Sequence, residues 1–451
     1  MDKTNKKSLY FLSGKFLKIT AVCSAVLFPL TGCTFGANID MLMTPPKLSI
    51  EQEQIYSALT DAAGESVSLK YPKSGKYLSA FIVEDIDGDS QNEAVVFYEK
   101  KGLAVTENTL RINILDRSDS GKWRSVYDMA AEGTEIERVM ISRLGENERV
   151  NLIIGTSFVN RLEKTATVYS YNNGILEHTF SESYSFLDVT DLDTDGKNEF
   201  LLLKGASGDT NASAQAYKLD EDGRYNKYTV DLSYNFPEFD SVRYGSINGI
   251  NGLYIDAVSG NGHIQTDVVY MDGDGMKRLF ADSGESSETL RPAGFSTYDV
   301  DGDGTLEIPV QTIALGYEEM PEGEQLWLTD WTTITEKGRG ERKYTSYYSA
   351  GDGYVFIFPE KWQNKVTVRR DAINDEIVIC TYDNEKMGQE LLRIYCADDD
   401  ASLEDRTASG YMLLRTRGES AYLAYVPQND SGDGLSITQS EAAICFTALP
   451  L

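Results

Sequence analysis

Four stretches of the chain repeat one pattern of apolar and polar positions. Each has a strand-like alternation, a polar turn carrying glycine, and a second alternation. They are LRINILDRSDSGKW (110–123), ATVYSYNNGILEHTF (166–180), AQAYKLDEDGRYNKY (214–228) and DVVYMDGDGMKRLF (267–280), with turn glycines Gly121, Gly174, Gly223 and Gly275. A fifth, LWLTDWTTITEKGRG (326–340), has a longer spacing. Period-two alternation around a Gly-bearing turn is the pattern of a β-hairpin. A second apolar frame around a polar turn precedes these hairpins, as in RVMISRLGENERVNLIIG (138–155) and VRYGSINGINGLYIDAV (242–258). The two patterns alternate with a period of about 53 residues, the length of a four-stranded propeller blade. No helical periodicity lies between them, which argues against TIM-barrel and Rossmann architectures. The expected fold is therefore mainly β: a β-propeller of about five recognisable blades over residues 70–345, followed by a small α+β domain.

The flanking segments read differently. Ser49 and Gln52 form a capping box ahead of Ile55, Leu59 and Ala62 at helical spacing, so residues 33–63 read as a tether and a short helix. Beyond the period, NKVTVRR, EIVICTY, ELLRIYCA, YMLLRTR and ESAYLAYVP alternate as strands. SITQSEAAICFTAL reads as a helix opened by a capping box at Ser436 and Gln439. Residues 350–451 are expected to form the separate α+β domain, and they carry no recognisable chemistry.

The candidate chemistry sits inside the apolar frames of alternate units. DIDGDSQNE (85–93), DLDTDGKNE (191–199) and DVDGDGTLE (299–307) start 106 and 108 residues apart. Each has Asp at positions one, three and five, Glu at position nine, and Gly at position four or six, where a sharp turn needs a positive φ. Short carboxylates at alternate positions of a tight loop converge, and such a set of hard oxygens suits Ca²⁺ better than Mg²⁺. The carbonyls of position seven (Gln91, Lys197, Thr305) can add a ligand, and Glu93, Glu199 and Glu307 can close the shell. An EF-hand loop would need an acid at position twelve, which here is Val96, Leu202 or Val310, and helical flanks, which are absent. The expectation is about three structural calcium ions, bound by Asp85, Asp87, Asp89, Gln91 and Glu93; by Asp191, Asp193, Asp195, Lys197 and Glu199; and by Asp299, Asp301, Asp303, Thr305 and Glu307. The sequence DGDG at Asp272–Gly275 lacks the distal Glu and reads as a hairpin turn.

These loops and their strand frames resemble the FG-GAP or VCBS-type repeats of integrin α-chain propellers and bacterial surface proteins. AGFSTYDVDGDGTLEIPV (293–310) is the best single stretch, and the resemblance covers roughly residues 75–340. It implies a calcium-bearing propeller whose loops bind proteins or glycans. Two departures stand out. Only alternate units keep the ligands, and there are fewer units than in integrin-type propellers.

Charge and export signals narrow the function class. The chain of 451 residues carries 42 basic and 71 acidic side chains, a net charge of −29. Nucleic acid is thereby excluded as an expected partner, since a phosphate backbone needs clustered Lys and Arg. Lys3, Lys6, Lys7, Lys15 and Lys18 precede the apolar run ITAVCSAVLFPL, which ends in LTGC (30–33). That ending resembles the lipobox of bacterial lipoproteins. It implies a signal peptide over 1–32, a lipid on the sulfur of Cys33, and a mature protein on the outer face of the bacterial cell membrane. Cys380, Cys396 and Cys445 lie in apolar company and read as buried thiols, with one disulfide among them left open.

No G-x-S-x-G, H-E-x-x-H or C-x-x-C occurs, and His178 and His263 are the two histidines. The expectation is a non-enzymatic, surface-exposed calcium-binding lipoprotein that recognises an unknown protein or glycan. The alternative is a secreted carbohydrate-active hydrolase or lyase on a propeller scaffold, because carboxylate pairs for glycoside cleavage are not excluded in so acidic a chain.

Overall fold

The computed structural model describes residues 48–100, 109–159, 163–172, 174–247, 249–259, 262–273, 275–280, 286, 288–335, 338–428, 432 and 434–449. The expected signal peptide over residues 1–32, Cys33 and nearly all of the expected tether lie outside the described residues. Two compact units are present, Met1–Gln54 and Ile55–Leu451. Helix α1 (Ile50–Ala63) crosses that division. In the first unit the capping box forms, with Gln52 N donating to Ser49 Oγ at 3.2 Å and Ser49 N to Gln52 Oε1 at 3.0 Å. In the second, Ile55 and Leu59 are fully buried one turn apart, and Tyr56 meets Phe81 edge-on.

The second unit is mainly β, and its described residues form six antiparallel sheets. The first joins Glu93–Lys100, Leu110–Arg117 and Trp123–Ala130, with the short strands Val67–Leu69 and Phe81–Glu84 sharing the outer edge of Glu93–Lys100. The next three are four-stranded meanders. They comprise Glu135–Arg143, Val150–Ser157, Lys164–Asn172 and Ile175–Tyr184; Phe186–Thr190, Glu199–Lys204, Ser213–Leu219 and Tyr225–Asp231; and Glu238–Ile247, Ile250–Val258, Ile264–Asp272 and Gly275–Arg278. The hairpin read at Asp272–Gly275 closes the last of these.

The sheets stack face to face, which explains the apolar runs. Val95 and Phe97 pack with Val139 and Leu152 between the first and second sheets. Ile153 and Val168 face the other way, onto Phe200 and Leu202 of the third. Leu201 and Leu203 then meet Leu253 and Ile255 of the fourth. Side chains alternate across a strand, so a strand covered on both faces is buried at every position and mostly apolar. Val150–Ser157 is accordingly buried throughout, whereas Tyr225–Asp231, last in its sheet, alternates toward solvent. Burying each such Leu or Phe is worth roughly 2–3 kcal/mol.

The fifth sheet orders Ile308–Ile313, Trp327–Thr335, Gly338–Ser349, Tyr354–Ile357 and Phe446–Ala448. The last strand returns from the C-terminal end, so a sheet crosses the boundary expected at residue 350. Phe356 and Leu328 share a core with Val368, Ile379 and Trp362, which binds the fifth sheet to the sixth. That sixth sheet runs Val366–Asp371, Glu376–Asp383, Lys386–Ala397, Ser420–Tyr425, Met412–Arg417, with helix α2 (Asp400–Ala408) beside it. Among the described residues no hydrophobic cluster joins the sixth sheet to the first. The arrangement is propeller-like, and a ring closed by about five blades is not formed by these residues.

Helix α3 (Gln439–Ile444) begins later than the sequence suggested. Its capping box is Thr438 with Glu441, not Ser436 with Gln439. Trp362 Nε1 holds the carbonyl of Leu435 at 2.6 Å and Lys361 Nζ that of Ser436 at 2.8 Å, which keeps those residues outside the helix. Cys380, Cys396 and Cys445 are free thiols.

Candidate cation loops and an arginine cleft

Each of the three acidic loops runs directly into a strand: Glu93–Lys100 and Glu199–Lys204, second in the order of the first and third sheets, and Ile308–Ile313, first in the order of the fifth. All three are held by the same hydrogen bonds. The Asp at position one accepts backbone N–H groups from positions four to six: Gly88 (2.6 Å) and Ser90 (3.0 Å) for Asp85, Asp195 (3.1 Å) and Gly196 (2.9 Å) for Asp191, Gly302 (2.8 Å) and Gly304 (2.9 Å) for Asp299. The Asp at position five accepts the N–H of position seven, from Gln91, Lys197 and Thr305 at 2.7–2.8 Å. The Glu at position nine is buried and accepts the N–H of position two, from Ile86 (3.0 Å), Leu192 (2.6 Å) and Val300 (3.1 Å). Positions four and six both take positive φ in every loop. Ser90 (72°) and Thr194 (62°) therefore sit in the left-handed region without glycine's freedom, a strain on the order of 1 kcal/mol each.

Convergence follows from this geometry. Ligand oxygens of Asp85, Asp87 and Glu93 lie within 4.8 Å of one another, as do those of Asp191, Asp193 and Glu199, and those of Asp299, Asp301 and Asp303. Asp89, Asp195 and Glu307 fall outside these triples. Each cluster is of a kind that can hold a metal ion, and the hard carboxylate donors with a buried Glu fit Ca²⁺.

The loops differ in what neutralises them. In the second, Lys218 Nζ lies 2.5 Å from Asp193 Oδ2, 2.8 Å from Asp195 Oδ2 and 3.1 Å from Glu199 Oε1. In the third, Lys343 Nζ lies 2.8, 2.5 and 2.9 Å from Asp301, Asp303 and Glu307. Side-chain hydrogen bonding from Lys343 pulls Asp303 down to about 2. Burial lifts Glu199 to about 7 despite the Leu192 N–H and Lys218. In the first loop no Lys or Arg pairs with a carboxylate among the described residues. Burial, reinforced by Asp87, Asp89 and Asp116, lifts Glu93 to about 7 against the Ile86 N–H.

The turns of the second and fourth sheets, which lack the Asp triplet, brace the second loop. Gly145 N donates to Asn198 O at 2.9 Å, Glu146 N to Leu219 O at 2.8 Å, and Asn251 Nδ2 to Asp191 O at 3.0 Å. The degenerate frames noticed in the sequence thus serve as buttresses.

A second site was not legible in the sequence. A cleft of about 270 Å³ is lined by Arg243, Tyr298, Tyr348, Arg417, Gly294 and Gly353, among others, with no carboxylate among the described lining residues. Arg243 stacks its guanidinium 5.4 Å from the ring centre of Tyr298, and its buried Nε has no hydrogen-bond partner. Arg417 is braced by the carbonyls of Leu449 (2.6 Å) and Gly353 (3.2 Å). Tyr348 donates to Gly294 O at 2.7 Å, and burial pushes its hydroxyl up to about 12.

No family model and no curated protein matches the chain. Solved structures do. An exotype rhamnogalacturonan lyase matches with a TM-score of 0.29 and 14% identity over 72% of this chain and 56% of that one. A Bacillus licheniformis rhamnogalacturonan lyase matches with 0.28 and 14% over 73% and 62%. A family 43 β-1,3-galactosidase matches with 0.24 and 12% over 64% and 96%. The chain thus spans less than two thirds of either lyase. Carbohydrate-active enzymes stand among the matches, against the expectation of a non-enzymatic protein, but a likeness of this size carries no activity over to this chain. The missing motifs excluded particular serine, zinc and dithiol chemistries, whereas carboxylate, Tyr and Arg chemistry on glycans has no short local signature.

Proposed function

We propose that this chain is an exported, calcium-stabilised carbohydrate-active protein, a hydrolase or lyase, that takes an acidic glycan into the Arg243 cleft. In this reading a lipid on Cys33 holds it at the outer face of the cell membrane. The observation that carries the reading is a cation-lined, carboxylate-free cleft in a chain of net charge −29. Arg243 offers an uncommitted planar fork, the geometry that recognises carboxylates. Tyr298 and Tyr348 supply ring surface of the kind that packs on sugars. A guanidinium on a uronate carboxylate also stabilises charge developing at the adjacent carbon, as β-elimination requires.

The test is incubation of the purified chain with polygalacturonate, rhamnogalacturonan and a neutral glycan, with calcium present. Ultraviolet absorbance of an unsaturated uronate reports lyase action, and new reducing ends without that absorbance report hydrolysis. Loss of acidic-glycan binding in Arg243→Ala supports the cleft. Binding to none of the acidic glycans, or equal binding by wild type and Arg243→Ala, refutes it.

A further inference from the structure

The three loops pose one electrostatic problem and reach two different answers. In the second and third, an ammonium sits 2.5–3.1 Å from three carboxylates, at positions three, five and nine. Two of the three in each loop, Asp193 with Glu199 and Asp301 with Asp303, belong to the convergent triples that would ligate a cation at about 2.3–2.6 Å. An ammonium and a divalent ion cannot share such a cradle, because two cations a few ångströms apart repel strongly in a half-buried site. The two lysines arrive by different routes. Lys218 lies on Ser213–Leu219, the third strand of its sheet, and Lys343 on Gly338–Ser349, beyond a register shift near Trp331 and Thr332. Two unrelated strand positions deliver the same group to the same place.

The first loop has the opposite residue there. Phe200 pairs with Tyr217, which sets Glu199 opposite Lys218; Ala94 pairs with Leu115, which sets Glu93 opposite Asp116. A fifth carboxylate thus stands where the third sheet places its lysine. Arg143, beside Gly88, spends its Nε on the carbonyl of Glu148 at 2.9 Å. Arg124 pairs across the strands with Asp116 but forms no ion pair with it. Glu93 is 2% exposed and accepts the Ile86 N–H through one oxygen, and among the described residues no Lys or Arg pairs with it. Five carboxylates gathered with a buried Glu among them and no ammonium beside them are costly without a cation.

We propose that the chain supplies its own cation to the second and third loops, as the ammonium groups of Lys218 and Lys343, and that only the first loop, carrying Asp116 in place of a lysine, takes a calcium ion from solution. This deepens the calcium reading proposed above and rests on it.

Calorimetric titration of the full chain with Ca²⁺, repeated with Tb³⁺ luminescence, tests the division. One site is expected for wild type. Lys218→Met and Lys343→Met should each add one, and the double variant should bind three. Asp116→Lys should abolish the wild-type site while leaving the circular dichroism spectrum unchanged. Three sites in wild type overturn the division and leave the calcium reading standing. No site in wild type or in any lysine variant overturns the calcium reading itself. One wild-type site with no gain in either lysine variant overturns the role of the lysines.

Discussion

The most demanding energetic feature among the described residues is a buried ion pair between Asp256 on the fourth sheet and Arg291, which bridges to Ile264 of the same sheet. Asp256 and Arg291 are 0% and 1% exposed. Asp256 Oδ1 accepts from Arg291 Nη2 (2.8 Å), Thr266 Oγ1 (2.7 Å) and Thr297 Oγ1 (2.7 Å), and Oδ2 from Thr297 N (2.6 Å). Arg291 also donates to Thr289 O at 2.9 Å, and its backbone bridges to Ile264. The replacement Asp256→Asn keeps the volume but strands a guanidinium beyond the reach of water and turns an NH₂ toward existing donors. Breaking one side of a buried pair costs about 3–5 kcal/mol. Arg291→Met should cost less, since Asp256 retains four other donors, Ser241 Oγ at 3.1 Å among them, and can take up a proton. The double variant should be less destabilised than the sum by about 1–3 kcal/mol. Burial pushes the Asp256 carboxyl up, but Arg291 and the hydroxyls outweigh it and hold it below the usual carboxylate range. A carboxyl depressed by folding stabilises above its unfolded value, about 3.9, and loses that contribution as pH falls through its folded value. Wild type should therefore lose stability steeply below about pH 4, and Asp256→Asn should show a shallower acid limb. Urea unfolding of the four proteins in calcium-containing buffer measures all of this. An Asp256→Asn protein within about 1 kcal/mol of wild type would refute the reasoning.

Other outcomes follow from the loops and from the chain's contacts. EDTA should lower the melting temperature of wild type, by an amount set by RT ln(1 + [Ca²⁺]/Kd), about 2.7 kcal/mol at one hundred times Kd; Glu93→Gln should abolish most of the difference between calcium and EDTA melts. In EDTA, Glu93 at about 7 binds an extra proton in the folded state, so stability should fall as pH rises through about 7, and calcium should flatten that fall when melting is followed across the range. Gly145 has φ of 59°, and a Cβ there would collide with the backbone of Leu219, so Gly145→Ala should cost about 1–3 kcal/mol in urea unfolding and Gly249→Ala, with open space around it, distinctly less. Cys33→Ala should move the protein from the membrane fraction to the soluble fraction of fractionated cells.

What the sequence displayed and what it concealed divide along one physical line. The acidic loops were readable because their design is local: nine residues carry the Asp alternation, the turn glycines and the distal Glu. The stacked sheets were readable for a similar reason, since a strand covered on both faces is buried at every position and mostly apolar. The partners that complete each loop come from elsewhere in the chain. Lys218 meets Glu199 only through cross-strand register, and Lys343 reaches Glu307 from 36 residues away beyond an irregular stretch of pairing. One residue of slip would turn either lysine to the opposite face. A reader who aligned Glu93 with Glu199, and Asp116 with Lys218, could have suspected that the loops are not equal, but that alignment needs the hairpin register fixed first. Arg243 shows the limit more sharply. In VRYGSINGINGLYIDAV it is one polar residue of an alternating strand, as any solvent-facing arginine would be. Its significance lies in what surrounds it: Tyr298 comes from the fifth sheet's loop, Arg417 from the sixth sheet and Leu449 from the returning end of the chain. A cation becomes a recognition group when folding removes the carboxylates that would otherwise satisfy it, and in a chain with 71 acidic side chains that removal is a property of the assembled sheets.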